Sequence, residues 1–90
     1  MSSRELERST TGTEVKVLPF GPLSELISPE STLQLSLPLP VAALRESLVA
    51  RFPVLEEHTF RIAVDRRMHR EETVITEAEE VALLPPFAGG

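Results

Sequence analysis

Conventional catalysis has few candidates in this chain. Cysteine is absent, which excludes a disulfide framework, a thiolate metal site and a cysteine nucleophile. The two histidines, His58 and His69, stand eleven residues apart without a clustered carboxylate. That is poor material for an internal metal site or a Ser/His/Asp constellation. Glu77, Glu79 and Glu80 could face a cation, but three acids near a turn read more simply as solvated surface, and no metal is expected. What remains is the end of the sequence, Pro85-Pro86-Phe87-Ala88-Gly89-Gly90. A Gly-Gly end lacks Cβ atoms, so its backbone can pass a narrow channel and adopt conformations closed to other residues. With glycine at roughly 7% of residues, two in succession at the end arise by chance only about 0.5% of the time. Any sulfur chemistry must use this terminus or a partner.

The tail needs a scaffold that presents it, and the pattern upstream supplies one. Glu80 to Leu84 places Val81 and Leu83 on one face with Ala82 and Leu84 opposite, a strand that Pro85-Pro86 must end because neither proline can donate a ladder hydrogen bond. Strand termination is the plain reading of the proline pair, which lacks the PxxP spacing of a recognition motif. The tail should then project from the sheet edge as a stiff segment ending in two flexible residues.

Val15-Lys16-Val17-Leu18 suits a first strand, with Pro19 tolerated at its end or at an edge. Gly21-Pro22 punctuates the chain before a short helical turn carrying Leu23, Leu26 and Ile27. Thr32 to Leu37 alternates strictly, with Leu33, Leu35 and Leu37 on one face. Val41, Leu44, Leu48 and Phe52 form one stripe of the main helix, stopped by Pro53. That stripe could dock a partner helix, but a domain this small needs it for its own core. Phe60, Ile62 and Val64 alternate in a third strand, followed by Arg66-Arg67-Met68 and a short extended stretch near Thr73 to Ile75. Strands around a single long helix predict an α+β fold with a mixed sheet of four to five strands and the helix across one face.

Ninety residues allow one domain at most. Residues 1–13 are polar and lack apolar spacing, so they read as a flexible arm; 14–84 form the domain and 85–90 the extended tail. The apolar fraction of 41% and charged fraction of 26% are those of an ordinary soluble domain. A net charge of −5 argues against a phosphate-backbone binder, and no apolar stretch is long enough to span a bilayer. Neither nucleic acid nor membrane is an expected partner, and the polar first residues are no signal peptide, which points to the cytoplasm. Arg61, Arg66, Arg67 and Arg70 are the one basic cluster and could steer an acidic partner, although a solvated face is the simpler reading.

Glu80-Val81-Ala82-Leu83-Leu84-Pro85-Pro86-Phe87-Ala88-Gly89-Gly90 resembles the ending of the molybdopterin synthase small subunits, sulfur carriers of the ubiquitin-like β-grasp fold. Val15-Lys16-Val17-Leu18-Pro19-Phe20 with Leu23 to Ile27, and Val41 to Leu48, are similar to that family's opening strand, turn and helix, so the likeness runs over about residues 14–90. Glu77-Ala78-Glu79 stands where the family usually has an Asp-Gly-Asp turn, and Pro19 interrupts the first strand.

The resemblance implies that Gly90 is the catalytic position. Its carboxylate would be adenylated by a ubiquitin-activating-type adenylyltransferase that uses ATP, then converted to a thiocarboxylate. Pro85, Pro86, Phe87, Ala88 and Gly89 would thread the tail into the large subunit of molybdopterin synthase, where sulfur passes to a pyranopterin precursor. The chain itself would hold no cofactor and would act in a hetero-oligomer. Phe20, Met68 and Leu84 match apolar positions that face the partner enzymes, the alternative being that each is core. Sulfur carriers for thiazole, cysteine or tRNA thiolation share the fold and the ending. A ubiquitin-like modifier joined to lysines through Gly90, or a plain interaction domain, are the other classes.

Overall fold

The computed structural model describes residues 12–86. Strand β1, Thr13–Pro19, pairs antiparallel with β2, Thr32–Leu35, setting Val15 opposite Leu33 and Thr13 opposite Leu35. The expected strand to Leu37 ends two residues early, and Leu37 packs partly buried against the core. β3, Leu39–Pro40, leads into helix α1, Val41–Arg51. Then follow β4 (Arg61–Val64), β5 (Arg67–Met68), β6 (Val74–Ile75) and β7 (Glu80–Leu84). Short 3-10 turns span Gly21–Glu25 and Pro53–Glu57. The main sheet has the order β2-β1-β7-β4-β5; β1 and β7 run parallel and the other pairs antiparallel. β3 and β6 form a separate two-stranded sheet. A mixed five-stranded sheet with one helix is the α+β arrangement that the sequence predicts.

Alternation decides which face the helix covers. Val15, Val17, Leu33, Leu35, Ile62, Val64, Val81 and Leu83 are all buried, and they meet the helix stripe Val41, Leu44 and Leu48, with Phe52 closing the helix end. Leu44 and Leu48 are fully buried; each such side chain stabilises the fold by about 1.5–3 kcal/mol. Among the described residues no polar or charged residue is buried. Any chemistry of the described part therefore belongs to its surface. Among the described residues no helix is long and apolar enough to cross a membrane.

Two local devices hold the frame. Pro40 gives α1 no side-chain cap, yet the first helical N–H groups need acceptors. Val41 N donates to Thr73 O and Ala42 N to Glu71 O, both at 2.9 Å, so the loop before β6 caps the helix with backbone carbonyls. Pro19 is the last residue of β1 and is paired with Leu83, ending the strand instead of breaking it. Lys16 and Phe20 donate toward β7, at Glu79 O and Leu83 O, whereas Val17 donates to Ser31 O on the β2 side. By that alternation the N–H that proline lacks would point to the β2 side, beyond the start of β2 at Thr32, where no ladder bond is lost.

Candidate functional site

β7 is the middle strand of the sheet, between β1 and β4. The tail therefore leaves from the end of the sheet's centre, a correction to its expected exit from the sheet edge. Val81 and Leu83 point to the helix and are fully buried; Ala82 and Leu84 take the opposite, open face. Register then assembles that face. Leu18, Ala82, Ala63 and Met68 form one row across β1, β7, β4 and β5. Leu84 stands opposite Arg61, and Phe20, one residue beyond the Pro19–Leu83 pair, continues the alternation beside it.

Phe20 is 47% exposed and Met68 48%, while Leu84 is half-buried. Phe20 and Leu84 therefore meet at the end of the sheet from which the tail departs, and Met68 lies across the row, beyond Ala82 and Ala63. The two alanines, 9% and 6% exposed, make a low floor between larger neighbours. Large apolar side chains left in water on one face make that face the candidate for an interaction surface. The sequence named three members of this face. Alternation within the last strand already sets Ala82 beside Leu84; Leu18 and Ala63 complete the face, and only sheet order joins them to it, because strands adjacent in space are remote in sequence.

The root of the tail is shaped by Gly21. Its φ of +61° is a left-handed conformation, and a Cβ there would lie 3.1 Å from Cγ of Pro85. Pro85 is half-buried against this turn and Pro86 is exposed. A groove of about 280 Å³ runs beside them, lined by Pro22, Leu26, His58 and both prolines. Phe87, Ala88, Gly89 and Gly90, the rest of the expected threading segment and the reacting position, lie outside the described residues, as does most of the 1–13 arm; its last residue, Thr13, begins β1.

The start of β7 is clamped by the turn between β4 and β5. Asp65 (φ 49°) and Arg66 (φ 70°) both adopt left-handed conformations, the signature of a tight two-residue hairpin. The Asp65 carboxylate accepts from Glu79 N at 2.9 Å and Glu80 N at 3.0 Å, and Asp65 N donates to Glu80 O at 2.9 Å. Sequence reasoning missed this clamp; the signal was an aspartate, tolerant of left-handed backbone, immediately after an apolar run. Of the expected solvated acids, Glu77 and Glu79 are exposed, and half-buried Glu80 pairs with Arg66 at 3.4 Å. Arg61, Arg66, Arg67 and Arg70 are all exposed, and His58 and His69 stay at the surface, exposed and half-buried.

Arg45 ties α1 to the sheet. It donates to both carboxylate oxygens of Glu71 (2.7 and 3.3 Å) and to the carbonyl of Phe60 at 2.8 Å, and lies over the Phe60 ring. The hydrogen bond from Arg45 holds the Glu71 carboxyl below the usual carboxylate range, its charge adding to the effect and desolvation opposing it. The network is structural: it fixes the strand that presents Arg61 and Ala63.

Comparison with known proteins fits this geometry. The chain is 30% identical over 84 residues, 90% of its length and 88% of the relative's, to the molybdopterin synthase sulfur carrier subunit of Arabidopsis thaliana. In three dimensions it is similar to a molybdopterin converting factor, subunit 1, from Pyrococcus furiosus (TM-score 0.69, 21% identity, covering 82% of this chain and 98% of that one). It is also similar to SAMP1 from Haloferax volcanii (TM-score 0.65, 19% identity, 87% and 100% covered). The small archaeal modifier protein 1 of Methanosarcina acetivorans gives a TM-score of 0.63 at 25% identity, with 89% and 99% covered. These neighbours share the ubiquitin-like β-grasp. The ThiS family model matches residues 11–90, and with that match the chain belongs to the ThiS family of sulfur carriers.

Proposed function

We propose that this protein is the sulfur-carrier small subunit of molybdopterin synthase. The observation that carries the reading is the 30% identity to the plant subunit across nearly the whole of both chains. The match to the family model, which extends to Gly90, supports the sulfur-carrier part of the reading.

Gly90 is the reacting position. Its carboxylate attacks the α-phosphorus of ATP on an adenylyltransferase partner, pyrophosphate departs, and an acyl-adenylate forms. A sulfur nucleophile then displaces AMP, because AMP leaves readily where oxide does not, and a thiocarboxylate results. That sulfur passes to a pyranopterin precursor in the large subunit, and water restores the carboxylate. The chain contributes reach and docking. Confining the loaded terminus in a dry, oriented pocket raises its effective concentration and limits hydrolysis. ATP belongs to the activating enzyme, and the carrier needs no bound cofactor.

The test is reconstitution with a molybdopterin synthase large subunit, comparing thiocarboxylated full-length protein with a form lacking Gly90. The loaded protein should convert the precursor and the truncated one should not. Failure of the loaded protein moves the reading to another sulfur-transfer pathway. The likeness to the archaeal modifier proteins in fold favours a second reading, attachment through Gly90 to lysines of other proteins. That reading requires higher-mass conjugates on a blot, and intact-mass analysis would find a carboxylate instead of an oxygen-to-sulfur exchange at Gly90.

A further inference from the structure

We propose that Arg61 is a recognition residue, and that the protein docking on the open sheet face carries a carboxylate opposite it. The inference rests on the sulfur-carrier reading, in which a partner protein covers that face while it takes the tail.

Arg61 stands in register with Leu84, the last strand residue before the tail, so it flanks both the apolar face and the tail root. It is exposed, and it borders a hollow of about 210 Å³ that also includes Met68, Arg70 and the Arg45–Glu71 pair, in which the acid is taken by Arg45. Of the other arginines near the sheet, Arg67 stands opposite the buried Val64 and so belongs to the other face, and three have acids already. Arg45 is bound by Glu71 at 2.7 Å, Arg66 by Glu80 at 3.4 Å, and Arg70 approaches Glu72 at 3.6 Å. Among the described residues Arg61 has no ion pair. Lys16, the other cation of this face, stands in register with Glu80, at the end of β7 away from the tail.

A protein that covers Phe20, Leu84 and Met68 must strip water from Arg61 as well. Burying a guanidinium without a partner is costly, so a stable complex requires an acceptor at that point, and a carboxylate matches the guanidinium fork best. A second copy of this chain is a poor occupant: a twofold contact presses together two chains that each carry −5. An acidic spot on a different protein is the complement that fits.

The experiment measures binding of the full-length chain to the molybdopterin synthase large subunit of the same organism by titration calorimetry, from about 50 to about 300 mM salt. The variants are Arg61→Lys, Arg61→Leu, Arg61→Glu, Leu84→Glu and, on the helix side, Arg51→Gln. Thermal unfolding verifies that each variant is folded. Arg61→Glu should weaken binding at least about thirtyfold, and Arg61→Leu about tenfold with a shallower salt dependence, because the partner's carboxylate is left unpaired. Arg61→Lys should recover much of the loss and Arg51→Gln should change nothing. If Arg61→Leu binds as tightly as the parent with the same salt slope while Leu84→Glu fails to bind, the carboxylate is absent and the inference falls, although the docking face and the function stand. Self-association of the chain through this face overturns the inference in favour of a second copy. No binding by the parent chain overturns the function and the inference together.

Discussion

Gly21 sets the direction in which the tail begins. A side chain there would suffer twice: φ is +61°, and the new Cβ would press on Pro85 Cγ at 3.1 Å. The left-handed conformation alone costs a non-glycine residue about 1–2 kcal/mol. Gly21→Ala should therefore lower stability by about that amount, equivalent to a fall in Tm of roughly 4–8 °C per kcal/mol in a domain of this size. Gly21→Asn should lose less, since asparagine tolerates this region. Thermal denaturation of both variants is the check, and an unchanged Tm in Gly21→Ala would mean that the turn relaxes freely. In the sequence, Gly21-Pro22 reads only as punctuation. Its use depends on Pro85, a contact brought by the parallel pairing of β1 with β7, which local pattern does not encode.

The elements that were legible are those whose burial is periodic. Leu33 and Leu35, Val81 and Leu83, and the stripe Val41, Leu44 and Leu48 each reveal a half-buried strand or helix, because one face meets the core and the other meets water. Strands β3, β5 and β6 have only two residues each. They exist through their partners and not through any period, so Leu39–Pro40 and Arg67–Met68 were missed as strands. The Arg45 tie was equally hidden, joining residues from three separate parts of the chain. It makes a pH prediction. Because Glu71 is held below its ordinary value of 4.5 by Arg45, its contribution is fully present above that value and is lost as pH falls through the lowered one. Both partners are partly exposed, which limits the pair to less than about 1 kcal/mol. Denaturant titrations should find Glu71→Gln less stable than the parent at pH 7, with the gap closing in acid. A constant gap down to the acid limit would mean that the charge on Glu71 contributes nothing.

At the scale of the molecule, one sheet face is spent on the core and the other is left apolar beside the tail root. The fold class was readable because seventy-odd residues with one long helix leave few arrangements. The face itself was half-readable: resemblance supplied Phe20, Met68 and Leu84 and alternation supplied Ala82, whereas Leu18 and Ala63 required the order β2-β1-β7-β4-β5. If the face serves docking, its residues must separate binding from stability. Phe20 is 47% exposed, so Phe20→Glu removes little packing and should change stability by no more than about 0.5 kcal/mol. Docking would bury that position against apolar surface, and the same substitution should cost at least about 2 kcal/mol of binding to the large subunit. Leu83, one residue from Leu84 but facing the helix with no exposure, should behave in the opposite way: Leu83→Ala should destabilise by about 2–5 kcal/mol, and the molecules that remain folded should bind with parental affinity. Calorimetry and thermal unfolding on the two variants give a crossed result if the two faces have separate duties. A Phe20→Glu protein that binds like the parent would instead place Phe20 outside the docking surface.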